Sequence, residues 1–345
     1  MMRRSSALIA AAVFLPLLGT SGAPAQEVTL TVHHFASPKA PTQVTLIEPW
    51  AKRIEEQSDG RIKVEIFPSM AMGGAPPELY RQVRDGAADL VWTLIGYTPG
   101  VFPRAEVFEL PNVHGGSARA TALAIQDTFD LIAEDFKDVK PILVYAHAGN
   151  ALHTVDTVVN SPADLAGLKL RTPSRSGALL IEALGAEPVG MPVPDVPQAL
   201  AKGAVDGVLL PFEIMPALNA HELVKHSYEG PNGERFGTSV FLFAMNKDRY
   251  EALPDDLKKV IDDNSGAAIA DWIGSDWDKV EESGKTPRGG TAPVEVTRFS
   301  PEQWAAFSER AEQVTKRWIE EANANGIDGA ALVDAATAAV EKHSD

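Results

Sequence analysis

Polar and apolar positions alternate along residues 28–33 (Val-Thr-Leu-Thr-Val-His), the period of a strand with one buried face. A loop over 34–42 follows. Along 43–57 the apolar residues recur at helical spacing, up to the stop Ser58-Asp59-Gly60. Residues 61–67 return to strand character. Pro76-Pro77-Glu78 opens a second helix, as proline does in a first turn, and Asp85-Gly86 ends it. A third strand covers 88–93, so the chain begins β-α-β-α-β.

The same order returns in the second half. The pattern predicts strands at 168–171, 187–191 and 205–210, with helices at 174–184 and 195–202. Set without gaps against 194–210, residues 77–93 share Pro77/Pro194, Gly86/Gly203, Ala87/Ala204, Asp89/Asp206 and Val91/Val208. Further on, 238–245 is apolar and strand-like. One long helical pattern runs from Pro254 to about Glu282, 294–299 reads as strand, and 301–325 and 329–342 read as helices.

This is an α/β chain of two lobes of like topology rather than a solenoid, because only two copies are present. The expected division gives 26–148 plus 237–276 to lobe I and 149–236 plus 277–345 to lobe II. Loops following corresponding strands then converge on a cleft. His34 and Phe35 meet 171–175, and 94–97 meet 211–213, the usual position of ligands on open α/β sheets.

Composition adds an address. Met-Met-Arg-Arg-Ser-Ser precedes an apolar run over 7–18 and then Ala23-Pro24-Ala25, the pattern of a secretory signal covering 1–25. The apolar run is too short to span a bilayer, which takes about 20 residues. Export to a bacterial periplasm is expected. Loss of Arg3 and Arg4 with the signal takes the net charge from −16 to −18, which argues against nucleic acid or an anionic membrane as partner. There is no Cys, so disulfides, thiolate metal sites and a lipid-modified Cys are excluded.

The chemistry on offer is that of binding. Arg171 ends a short buried strand at the cleft mouth, where a planar guanidinium grips a carboxylate through two parallel hydrogen bonds. His33 and His34 are adjacent and point to opposite strand faces, with His34 assigned to the cleft. His147 and Asn150 fall where the first lobe hands over to the second, and Asn150 offers an amide to a ligand oxygen. Trp92, Tyr97 and Phe212 are candidate aromatic walls. Glu213 is either an acceptor for a ligand hydroxyl or amine, or a helix cap. No cofactor and no metal is expected. His221 and His226 bracket a zinc-protease-like string, but they are five apart and do not share a helix face. No G-x-S-x-G, Walker or G-x-G-x-x-G motif is present.

The run Asp164-Leu165-Ala166-Gly167-Leu168-Lys169-Leu170-Arg171-Thr172-Pro173 resembles the periplasmic solute-binding subunits of tripartite ATP-independent (TRAP) transporters, of the dicarboxylate-binding type. So do Asp85-Gly86-Ala87-Ala88-Asp89, Gly203-Ala204-Val205-Asp206-Gly207 and Leu253-Pro254. The resemblance implies a two-lobed periplasmic-binding-protein fold, type II-like, with the lobes joined by a hinge and by a long helix spanning both. It implies closure on a small organic acid held by Arg171, and delivery to TRAP membrane subunits. The chain has Ala151 where some members carry a second arginine, and Leu209-Leu210 where many have Glu-Asn. A monocarboxylate, such as a hydroxy, keto or aromatic acid, is therefore expected. A periplasmic enzyme acting on a small acid, and a ligand-dependent sensor partner, are the alternatives.

Overall fold

A computed structural model describes residues 26–286 and 295–344; the signal segment 1–25 and Val294 lie outside them. Two sheets organise the chain. The first has five strands in the order Ile62–Phe67, Val28–His34, Leu90–Leu94, Val240–Asn246, Val139–Ala146. The second has six, in the order Val296–Arg298, His226–Glu229, Ala151–Thr154, Gly207–Leu210, Lys169–Thr172, Glu187–Gly190.

Each sheet contains three parallel strands from one β-α-β-α-β unit, with the first strand of the unit in the middle. An antiparallel strand lies beside the third strand of each: Val240–Asn246 in the first sheet and Ala151–Thr154 in the second. These two strands border the places where the chain passes from one sheet to the other. The crossings are joined to each other, since Asn150 N donates to Gly237 O (2.8 Å) and Phe236 N donates to Asn150 O (2.8 Å).

The repeated residues have repeated jobs. Gly86 and Gly203 take positive φ (76° and 64°) at the ends of matching helices, a conformation glycine adopts without strain. Asp89 accepts from Thr31 N (2.8 Å), and Asp206 accepts from Lys169 N (2.8 Å). Each carboxylate therefore ties the third strand of its unit to the first.

Three expectations shift. The pattern from Pro254 to Glu282 is two helices, Asp255–Asp262 and Ala267–Gly284. The break falls at Gly266 (φ 55°), whose N–H donates to Ile142 O, while Trp50 Nε1 donates to Asn264 O (2.9 Å). Apolar spacing continues across the break, so periodicity alone does not reveal it. The last helix, Gly329–His343, packs on Ala118–Asp127 beside the first sheet, and Lys342 and His343 both reach Asp127. It does not pack on the second sheet, where lobe II had placed it. The 294–299 strand is shorter, Val296–Arg298.

Two helices join the lobes. Ala267–Gly284 packs along Ala118–Asp127 and ends against the turn at Phe212–Ile214. Pro301–Ala324 lies on Arg175–Ala183 in the second lobe, while its Trp318 Nε1 donates to Glu106 in the first (3.0 Å). A buried ion cluster pins the first of these helices to the hinge. Arg235 bridges Glu229 (3.3 Å) and Glu281 (3.0 Å), each of the three nearly inaccessible to water. Among the described residues no helix is long and apolar enough to cross a membrane.

Candidate functional site

The strand ends of the two sheets face one another across a cavity of about 40 Å³. The first lobe supplies an aromatic wall. Trp92 lies between Phe35 (centroids 4.9 Å) and Phe241 (4.9 Å), and its indole N–H is occupied by Tyr145 OH (3.0 Å). What Trp92 offers the cavity is therefore apolar ring. Leu94 on the first lobe and Val193, Leu210 and Ile214 on the second complete the apolar lining.

The second lobe supplies the charge. Arg171 is 1 % exposed, yet no Asp or Glu among the described residues forms an ion pair with it. Its Nε and Nη2 donate to Met191 O (3.0 and 2.9 Å), and Nη1 donates to Leu209 O (3.4 Å). These carbonyls aim the guanidinium without neutralising it. A guanidinium has five N–H donors, so the Nη1–Nη2 end of the fork retains donors for a carboxylate. Burial pulls the Arg171 pKa down, countered by Tyr97 beside it, but an arginine remains protonated through the physiological range.

The other titratable groups of the lining are His147 and Glu213. Burial drives His147 well below the usual imidazole range, with the His114, Arg235 and Arg171 charges acting in the same direction. Ser239 N donates to His147 Nε2 (3.1 Å). Burial lifts the Glu213 carboxyl well above the ordinary range, and nearby Glu281 pushes it the same way. Burial thus favours the uncharged form of both His147 and Glu213.

Of the residues singled out from sequence, Phe35, Trp92, His147, Asn150, Arg171 and Glu213 line this cavity. His34, Tyr97 and Phe212 do not. His34 is turned into the first lobe, where its Nε2 donates to Gln43 Oε1 (2.8 Å), and burial lowers its pKa to about 4. Tyr97 is a clasp between lobes: its hydroxyl accepts from Val193 N (2.8 Å) and its ring meets Phe35 (5.3 Å). Phe212 lies behind the wall, edge-on to His153 (5.1 Å) and under the Arg235 guanidinium (5.1 Å). His153 itself is structural, its Nε2 donating to Leu210 O (3.0 Å).

Sequence reasoning did not single out Thr42, Val193, Ser239 or Phe241, which also line the cavity. Phe241 sits on a strand distant in sequence that pairs beside Trp92, a contact no local pattern encodes. His221 and His226 occupy a short turn and the following strand, which removes the zinc-helix reading. Among the described residues no group of His, Asp or Glu is arranged to hold a metal.

A larger cleft of about 360 Å³ opens at the rim, between 95–109 and the Pro301–Ala324 helix. Its Arg175 is already paired with Glu106 (2.9 Å) and Glu321. It is larger in volume than the interlobe cavity but offers no unpaired cation, since its Arg104 pairs with Asp135 (3.2 Å).

Residues 32–322 match the family model described as bacterial extracellular solute-binding protein, family 7. A marine metagenome TRAP solute-binding protein from an unidentified microbe, specific for aromatic acid ligands, is 43 % identical. It superposes with a TM-score of 0.88 over 92 % of this chain and 100 % of its own, in complex with metahydroxyphenylacetate. The same protein has been solved with 3-hydroxybenzoate. A TRAP solute-binding protein from Rhodoferax ferrireducens with copurified benzoate is 37 % identical, TM-score 0.83, over 92 % of this chain and 98 % of its own. The ectoine-binding periplasmic protein TeaA of Halomonas elongata is 28 % identical over 81 % of each chain. The chain belongs to solute-binding family 7, the periplasmic receptors that bind small organic acids and deliver them to TRAP permeases.

Proposed function

We propose that the chain captures an aromatic monocarboxylate between its lobes and presents it, enclosed, to its TRAP permease. Arg171 receives the carboxylate and the ring lies against Phe35, Trp92 and Phe241. One observation carries this reading: a fully buried guanidinium with no acidic partner among the described residues, set across the cavity from an aromatic wall. Burying an unpaired cation is unfavourable, and an anionic ligand relieves it. One buried guanidinium suits one carboxylate. The aromatic ligands of the two similar solved proteins support the ring assignment.

By this measure a single water takes roughly 10–15 Å³, so the cavity is tight for a substituted benzene. The lobes must part for entry and settle around the ring. The hydrogen-bonded crossings at Asn150 and Gly237 are the place for that bend, and the contacts of Tyr97 with Val193 re-form on closure.

Binding rather than turnover is the reading favoured by the histidines. His147 is kept neutral by burial and engaged with the Ser239 backbone, and His34 faces away. The Thr238 hydroxyl that meets His147 Nδ1 (3.2 Å) also donates to the His147 carbonyl (2.9 Å), and Thr238 does not line the cavity.

Calorimetry with benzoate, 3-hydroxybenzoate, mandelate and glucuronate tests the proposal on wild type and Arg171→Met. The aromatic acids are expected to bind more tightly than glucuronate, and the variant to lose about a hundredfold or more. Its ligand-free melting temperature should be unchanged or higher, since a lone buried charge has been removed. Equal affinity in the variant, or a preference for glucuronate, overturns the proposal.

A further inference from the structure

We propose that Glu213 is the residue that reads a ring hydroxyl, so that the preferred ligands are hydroxylated aromatic monocarboxylates rather than plain ones. This rests on the aromatic-carboxylate reading above. Glu213 lines the cavity, is 6 % exposed, and its Oε2 has no hydrogen-bond partner. A buried polar atom left unpaired is destabilising, so an unpaired one at a ligand cavity calls for a partner that arrives with the ligand.

Inside the fold the Trp277 indole N–H, itself without a hydrogen-bond partner, lies beside this carboxyl and partly offsets its desolvation. Glu213 is not the N-cap residue of either short helix at Phe212–Leu218, positions held by Pro211 and Ile214. Pairing with Arg171 is also absent, as the guanidinium donates to Met191 and Leu209. The position of Glu213 is nonetheless fixed, because its backbone N–H donates to Glu281 Oε2 (2.9 Å). The cavity therefore has two separate polar features from the second lobe, a cation and a carboxyl, against the aromatic wall of the first. A benzene ring with a carboxylate and a hydroxyl on different carbons presents the matching pair. In the neutral form that burial favours, a carboxyl donates through its hydroxyl and accepts through its carbonyl, and a phenol can answer both. A second carboxylate in place of the hydroxyl would bring a charge for which the lining has no further cation.

The test is calorimetry with benzoate, 3-methylbenzoate, 3-hydroxybenzoate and 4-hydroxybenzoate, read as affinity ratios within each protein. In wild type, at least one hydroxybenzoate should bind about tenfold more tightly than benzoate and 3-methylbenzoate. Glu213→Met should bring that ratio to within about twofold of one, while Glu213→Gln, which still donates and accepts, should keep most of it. Ligand-free melting curves check that both variants fold. If Glu213→Met does not, Glu213→Leu takes its place. A wild-type ratio near one, or a ratio that survives removal of the carboxyl, overturns the assignment while leaving the aromatic reading standing. Failure of every benzoate to bind overturns the aromatic reading, and this one with it.

Discussion

The two lobes share a plan and divide the chemistry. Each is a β-α-β-α-β unit ending in a glycine-stopped helix and an aspartate that ties third strand to first. At the cavity the likeness ends. The first lobe offers Phe35, Trp92 and Phe241; the second offers Arg171 and Glu213. Repetition therefore preserves what holds a lobe together, and the residues at the strand ends are free to differ. Such a division suits closure. On the proposed reading, an anion drawn first to the cationic lobe is then covered by the aromatic wall of the other, which excludes water and strengthens the ion pair.

The sharpest way to break this picture is at the seam, where one first-lobe carboxyl holds both halves. Glu109 is buried. Its Oε1 accepts from Val240 N in the first lobe (3.0 Å), and its Oε2 accepts from Ser176 Oγ in the second (2.7 Å). Burial raises its pKa to about 7 from 4.5. The folded protein then keeps a proton that the unfolded chain releases above pH 4.5. Stability tied to Glu109 is full below that point and is lost as pH rises through about 7. The loss is on the order of 3 kcal/mol. The buried histidines act oppositely. His34, His114 and His153 are lowered to about 4, so their contribution grows as pH rises from 4 to 6.5. Together these place the stability maximum near pH 6–7. Denaturant unfolding at pH 5.5, 6.5 and 8 should show wild type weakening at pH 8. Glu109→Gln, which keeps both hydrogen bonds without a titration, should weaken much less; equal losses would remove Glu109 from the account.

Next in size is an obstruction to closure. Gly96 in the first lobe abuts Ser174 in the second, and a Cβ built on Gly96 would lie 2.6 Å from Ser174 Cβ and 3.1 Å from its Cα. No positive φ is recorded for Gly96, so alanine fits its local backbone. Gly96→Ala should leave the ligand-free melting temperature within a few degrees of wild type. Affinity for a bound aromatic acid should fall about tenfold, mainly through faster release. Unchanged affinity would mean that the lobes do not approach this closely when ligand is held.

Much of this was legible in the sequence, for physical reasons. Helix and strand periods come from burial of one face, so both β-α-β-α-β units could be read from spacing and glycine stops. Arg171 was readable because a charged residue ends a buried strand within a specific motif. The single helix expected over 254–282 failed because Asn264-Ser265-Gly266 turns the chain without interrupting the apolar spacing. His34 was assigned to the cleft by alternation, which says that neighbours diverge but not which faces where. Tyr97 and Phe212 lie in the expected loops, yet their partners, Val193 and His153, come from distant sequence. Phe241 was missed because its place beside Trp92 depends on a strand returning from the other lobe.

The smallest effect probes the repeat itself. Asp89 and Asp206 hold equivalent positions, but Asp89 does more. Its Oδ2 accepts from Thr31 N (2.8 Å) and Thr31 Oγ1 (3.0 Å), and its Oδ1 receives Arg249 Nε (3.1 Å). Asp206 accepts from Lys169 N (2.8 Å). The Arg249 pair is partly exposed and adds little, so the extra stabilisation comes mainly from the Thr31 hydroxyl. Asp206→Ala should then destabilise by about 1 kcal/mol and Asp89→Ala by about 2 kcal/mol, read from urea midpoints at constant slope. Thr31→Val should remove most of the difference between them. If the two aspartates prove equal, the shared strand tie alone sets their worth, and the first lobe's additional bonds are incidental to its stability.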